Sequence, residues 1–321
     1  MSLEKIANSI KNNQYILEKR EINPIVQFID KKSFKSVKIF KDIGEDSAAI
    51  ENDDKYILVT TDRIRTSFIE NYPHGAGYSS ILVSVDDIYA CGGTPLAASI
   101  IISLKDPNTY EDILQGICDG SKKFKVPIIR GHTNIHGKCY ELSSTMIGEI
   151  NKQDYISAGN AQVEDDIILV VDFDGRVGKA SKLYYDTTMY KSSEEVLRKR
   201  KSMNIIAQKH IVNASKDISN GGIFGTLLQL INYSKIGADV NITKIKIPPN
   251  LIDKGYDLET YIKMYLTTSF LLTAQKKNSK EIIVTFQEYG LNVDIIGNII
   301  KDPNLLRINN GTEKSIEVLR F

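Results

Sequence analysis

Carboxylates standing beside small residues are the groups in this chain whose types and spacing could do chemistry. They recur as Glu45-Asp46 in DIGEDSAAI, Asp62 closing VTTD, Asp86-Asp87 in VSVDDIYACGG and Asp217 in KDISNGG. Magnesium prefers hard oxygen ligands and takes one or two carboxylates together with waters and phosphate oxygens, so this spread could build a metal-phosphate site. Each residue alone also has a plainer reading. Asp62 could end a strand, Asp217 could cap a helix expected from residue 221, and Asp53-Asp54 reads as a solvated turn, because aspartate is favoured at caps and turns by its local hydrogen bonding. The common nucleotide motifs are not there to help: GRVGKAS (175–181) has only two residues between its glycines, and GAGYSS (75–80) fails the dinucleotide fingerprint.

The elements that must position these groups alternate along the chain. Leu3, Ile6, Ala7 and Ile10 are spaced for a helix over 2–12, and Ile22, Val26 and Ile29 for a short second helix after Pro24. A strand is expected at 56–61, then a helix at 75–91 that Gly92-Gly93 stops before Pro95. Further expected elements are a strand at 96–104, a helix near 109–124, a short strand near 127–130 and a longer one near 140–149. Beyond a polar loop at 151–162, DIILVVDF (166–173) reads as a buried strand, 193–213 and 221–233 as helices, and 238–243, 269–274 and 293–300 as strands. The pattern predicts two α+β domains, over residues 1–155 and 156–321.

Composition narrows the function classes. With 321 residues the chain exceeds the roughly 250–300 at which single cores stop growing. Forty-one basic against forty acidic residues leave a formal charge of +1, which argues against a nucleic-acid or membrane surface and for a small-molecule substrate. Cys91, Cys118 and Cys139 show no metal-binding spacing and no signal peptide is apparent, so a cytoplasmic location is expected. The longest apolar runs, such as LAASIIISL (96–104), are too short to span a bilayer.

The order of the motifs DIGEDSAAI, VTTD, VSVDDIYACGGTPLAASI, PIIRGHTN, STMIGEI and KDISNGGIFGTLLQLI resembles the aminoimidazole ribonucleotide (AIR) synthase superfamily, which includes thiamine-monophosphate kinase and selenophosphate synthetase. The similarity spans about residues 1–300 and is greatest to an AIR-synthase-related bacterial branch with no assigned reaction. It implies two α/β domains, the first forming a shared β-barrel in a homodimer, with ATP and Mg2+ in the cleft. It further implies that Asp46, Asp62 and Asp87 hold the metal with Glu45 in place of a first aspartate, and that Asp217 is catalytic. Gly44, Gly131, Thr133 and Asn134 would contact the nucleotide, as would Lys19 from a flexible N-terminal arm.

Departures from the family pattern qualify the activity. His132 stands where the phosphotransferases carry an aspartate, Arg130 replaces a glycine before it, and Asn220 replaces an aspartate of the kinase. A neutral imidazole does not replace a hard carboxylate on magnesium. His132 is therefore expected as a base or phosphate contact, aimed into the cleft by a turn at RGHTN, with a hydrogen-bonded loop histidine as the plain alternative. The expected activity is ATP- and Mg-dependent phosphorylation, or activation, of an oxygen on a small metabolite. Thiamine-monophosphate kinase and a non-catalytic nucleotide-binding protein are the alternatives.

Overall fold

The computed structural model describes residues 2–106, 110–312 and 314–320, and within them the chain forms two sheets. The first holds β1 (Ile39–Lys41), β2 (Ala48–Asn52), β3 (Lys55–Ile64), β4 (Thr94–Ser103), β5 (Ile128–Asn134) and β6 (Glu141–Asn151), in the order β1-β2-β3-β6-β4-β5. Its neighbours are antiparallel except β4 and β5, which run parallel. Helices α1 (Leu3–Lys11) and α2 (Gln14–Lys32) precede it, α3 (Thr66–Asn71) and α4 (Pro73–Ala90) connect β3 to β4, and α5 (Tyr110–Phe124) lies between β4 and β5.

Alternation along β3 sends Tyr56, Leu58 and Thr60 towards the helix layer and leaves the residues between them more exposed. Helix α4 is buried along most of its length, and α5 packs closely against it. Glycine makes that approach possible: a Cβ on Gly77 would stand 2.1 Å from the Ile113 carbonyl oxygen, and one on Gly116 2.0 Å from that of His74.

The second sheet contains β7 (Asp166–Val171), β8 (Arg176–Val177), β9 (Tyr184–Asp186), β10 (Ala214–Ile218), β11 (Gly237–Asn241), β12 (Tyr265–Ala274), β13 (Asn292–Ile300), β14 (Leu305–Asn309) and β15 (Ile316–Arg320). Its path is β15-β14-β11-β13-β7-β12-β9-β8, with β10 paired to β12. The helices of this half are α6 (Ser193–Lys209), α7 (Gly222–Ser234), the single turns α8 (Pro249–Ile252) and α9 (Leu258–Tyr261), and α10 (Ser279–Glu288). Both faces of β7 are covered, so its apolar run is continuous. Ile168 and Val170 enter a core with α4, α6 and α10. Ile167, Leu169 and Val171 enter another with α1 and α7.

The two sheets part between Asn151 and Asp166. Expectation and structure differ at the start of the chain, where Leu3, Ile6, Ala7, Ile10 and Ile16 belong to the second core rather than the first domain. The helix expected over 2–12 is α1, capped by Ser2, whose hydroxyl accepts from the Lys5 N–H at 3.2 Å, while Lys19, expected on a flexible arm, lies within helix α2. Helix α2 runs through Pro24 instead of starting after it. Among the described residues no helix is long and apolar enough to cross a membrane.

Candidate functional site

A cavity of about 1120 Å³ opens between the two halves. Strand β3 and helix α4 bring the first carboxylates to it. Thr60 and Asp62 share the face of β3 that looks at α4, where Ser84 and Asp87 lie one turn apart. The Thr60 hydroxyl donates to Asp87 Oδ2 at 2.6 Å, and the Ser84 hydroxyl to Asp62 Oδ2 at 2.7 Å. Asp62 is thus inside a strand rather than at its end.

From the other half come Lys216 and Asp217 on β10. Neighbours in a regular strand face opposite ways, yet both residues line the cavity, just before the register with β12 shifts between Asp217 and Ile218. Asp46 bridges the halves: it forms an ion pair with Lys216, and its Oδ2 accepts from the Asp217 N–H at 3.2 Å. One oxygen from each of Asp46, Asp87 and Asp217 then lies within 4.8 Å of the others. Three convergent hard donors suit a magnesium-like cation.

The electrostatics show the strain of gathering like charges. Burial pushes the Asp87 carboxyl well above its usual range, and Asp62, Asp217 and Asp46 push it further. Asp217 is raised by burial and then by Asp46, and Asp62 chiefly by burial. For Lys216 burial alone would lower the ammonium; the carboxylates of Asp46, Asp217 and Asp87 outweigh it and raise the pKa. Lys19 answers differently. Burial, then the charge of Lys216, lowers it to about 8. Its Nζ donates to Gln229 Oε1 at 2.7 Å and to Ser219 Oγ at 3.3 Å, beside the first turn of α7. That helix begins on two glycines in the left-handed region, Gly221 at φ 94° and Gly222 at φ 65°; a Cβ on Gly222 would stand 2.1 Å from the Ile262 carbonyl oxygen. A helix N-terminus and an ammonium group side by side suit an anion such as phosphate.

Asp86 faces away from its neighbour Asp87. Its Oδ1 accepts from Nε of Arg200 at 2.8 Å, and its Oδ2 from the Thr268 N–H at 3.3 Å. Arg200 is completely buried, lies over the Phe124 ring at 5.0 Å, and joins α6 to α4 across the two halves. Thr268, a β-branched residue at φ 53°, is strained where it meets Asp86.

Not every expected residue converges. Glu45, expected among the metal ligands, is instead a tie to the segment between the domains: it accepts from the Ser157 hydroxyl, and from the Ala158 N–H at 2.7 Å, so both oxygens are engaged. Gly44 lines the cavity at φ 101°, backed by the Tyr233 ring. Gly131, His132, Thr133 and Asn134 do not line it. RGHTN forms no turn; it lies in β5, an exposed edge strand paired with β4. Strands β6 and β4 intervene between β5 and β3, a separation of about 14 Å at the usual strand spacing. Within one protomer none of these four residues reaches the cavity. The sequence reading also missed Lys216 and Gln229. Adjacency to Asp217 was the only signal for Lys216, and strand alternation argued against it.

Models of the AIR synthase related protein N-terminal and C-terminal domains match residues 44–150 and 163–307. The chain belongs to the AIR synthase related family. It is 36% identical over 318 residues to an uncharacterized protein of Methanocaldococcus jannaschii, covering 98% of this chain and 96% of that one. A thiamine-monophosphate kinase of Buchnera aphidicola is 26% identical over 305 residues, covering 87% and 90%. In fold, this family member is similar to AaThiL complexed with AMPPCP and TMP, with a TM-score of 0.70 at 19% identity over 93% of this chain and 97% of that one. It is also similar to Thermotoga maritima PurL complexed with ADP, with a TM-score of 0.71 at 13% identity; there it covers 87% of this chain but only 46% of the PurL chain. The two-domain AIR-synthase architecture expected from the motifs is therefore the one observed.

Proposed function

We propose that this protein binds Mg-ATP in the cavity between its domains and transfers a phosphoryl group to an oxygen of a small metabolite, as final product or as activation. The convergence of Asp46, Asp87 and Asp217 within 4.8 Å carries this reading. Their oxygens are the donor type magnesium selects; Asp62, expected as a ligand, lines the same cavity but lies outside this convergent group. The ion would neutralise phosphate charge. Lys19 and the glycine-started end of α7 would orient the phosphates, and positioning of this kind supplies most of the catalysis in phosphoryl transfer. Relatives named as thiamine-monophosphate kinase, and the ThiL fold solved with AMPPCP, support the nucleotide. Asn220 in the cavity wall, where the resembling kinase carries an aspartate, argues for a different acceptor.

ATP affinity is expected to fall at least tenfold when magnesium is chelated, because the carboxylates repel the bare triphosphate. Calorimetry with and without the ion measures this, and equal affinity in both conditions would remove the metal role. ADP release across a metabolite panel that includes thiamine monophosphate identifies the acceptor. Lys19→Met should weaken Mg-ATP binding about tenfold or more, the scale of one charge-assisted hydrogen bond at ~1.5–3 kcal/mol.

A homodimer completes this proposal. Strand β5 is exposed at every residue and its outer edge is unpaired in the described chain; such an edge invites another strand. A second copy closing the sheet into a barrel would also give His132 a route to a nucleotide site. Light scattering that finds a stable monomer at micromolar concentration would refute it.

A further inference from the structure

We propose that Lys216 is a resident cation of the acidic cluster, holding one cation position on Asp46 so that the site takes up a single divalent ion before nucleotide arrives. This inference rests on the nucleotide reading of the cavity and adds a role for a residue that reading does not need. Three observations carry it. Lys216 is buried to the same degree as the carboxylates around it, with 7% of its side chain exposed against 4% for its partner Asp46. Its ion pair is inside the cluster, with a carboxylate that also faces Asp87 and Asp217. Asp87 and Asp217 each bring an oxygen within 4.8 Å of one on its partner Asp46, so its ammonium lies beside all three carboxylates that could hold an ion.

Paired to Asp46, the Lys216 ammonium offsets one unit of the cluster's negative charge and occupies one of the positions a cation would take. Without Lys216 that unit of negative charge would be uncompensated, and a second ion or a tighter first one would be favoured by simple Coulomb attraction. A lysine ammonium is compact and strongly hydrated, so it can give up Asp46 for a phosphate oxygen at little geometric cost. Lys216 would then present its charge to the nucleotide once a metal ion has taken over the carboxylates. The lysine occupies the cluster in the free protein and turns to the phosphates in the loaded one.

The test uses Mn2+ as probe, titrated calorimetrically into the full chain without nucleotide, with ATP then added at saturating Mn2+. Lys216→Met should bind Mn2+ at least tenfold more tightly than the parent, or take a second ion, and should bind Mn-ATP at least tenfold more weakly. Lys216→Arg, which keeps the charge, should restore parental Mn2+ affinity. A purely structural role would not produce a gain in metal affinity. Should Lys216→Met be too unstable to titrate, thermal unfolding supplies the readout: Mn2+ should raise its midpoint further than that of the parent. Mn2+ affinity or thermal gain equal to or below the parental value would overturn the role of Lys216 while leaving the nucleotide reading intact. A parent chain that binds neither Mn2+ nor Mn-ATP would overturn that reading, and this inference with it.

Discussion

Asp87→Asn is expected to cut magnesium-dependent phosphoryl transfer by at least ~10²-fold, since the ion loses a ligand whose charge stabilisation is worth several kcal/mol. The same change should make the protein more stable. Thr60 can still donate to the asparagine oxygen, so the local hydrogen bond survives. What disappears is a buried carboxyl held well above its usual range by burial and by Asp62, Asp217 and Asp46. The sign follows from proton linkage. Between the unfolded value, near 4, and the raised folded value, the folded state keeps a proton that the unfolded chain has released, so stability falls as pH rises through that window. In metal-free buffer the parent should lose thermal stability from acid towards neutral pH, and Asp87→Asn should show a shallower loss and a higher midpoint at pH 7. A midpoint equal to or below the parent's at neutral pH would mean that the cluster is not under electrostatic strain.

The second large effect is expected at Arg200. Arg200→Leu leaves Asp86 buried without its cation, and breaking a buried pair from one side costs about 3–5 kcal/mol. Asp86 is 2% exposed, so water cannot replace the guanidinium; burial already pushes its carboxyl up, and Arg200 is the main opposing influence. Urea unfolding should show the loss as a lowered midpoint. The double variant Asp86→Leu, Arg200→Leu should recover much of it, since two apolar side chains of suitable volume leave no unpaired charge. A double variant no better than the single one would show that the pair is needed for its geometry rather than its charge balance.

The residues legible in the sequence were those whose neighbours are local. Asp46, Asp62, Asp87 and Asp217 stood out beside small residues, and all four line the cavity. The helices α1, α4 and α5 followed from apolar spacing and glycine stops. Misreadings came from contacts distant in sequence. RGHTN has the composition of a turn, yet parallel pairing with β4 draws it into a strand. Glu45 looks like half of an acidic pair, but Ser157 and Ala158, more than a hundred positions away, capture it. Lys216 should face away from Asp217 by strand periodicity, yet both line the cavity at the end of β10, next to an irregularity in its pairing with β12. The arm of α1 and α2 carries no mark of which core it joins, because amphipathic spacing specifies a buried face without naming its partner.

Because Ile168 and Val170 of β7 share one core with Ile88 of α4, the two halves are joined by continuous apolar packing and lack a thin polar seam along which to swing apart. Enzymes that close by a domain hinge need such a seam, with few contacts crossing it. Here the Asp86–Arg200 pair and the Glu45 tie cross it as well. The cleft consequently behaves as a slot of fixed width. On the proposed function, selection among substrates would fall to the shape of that slot and to side-chain movements along its wall, where Tyr15, Arg65 and Phe68 lie, and an oversized molecule would be rejected sterically at first contact rather than by a failure to close around it.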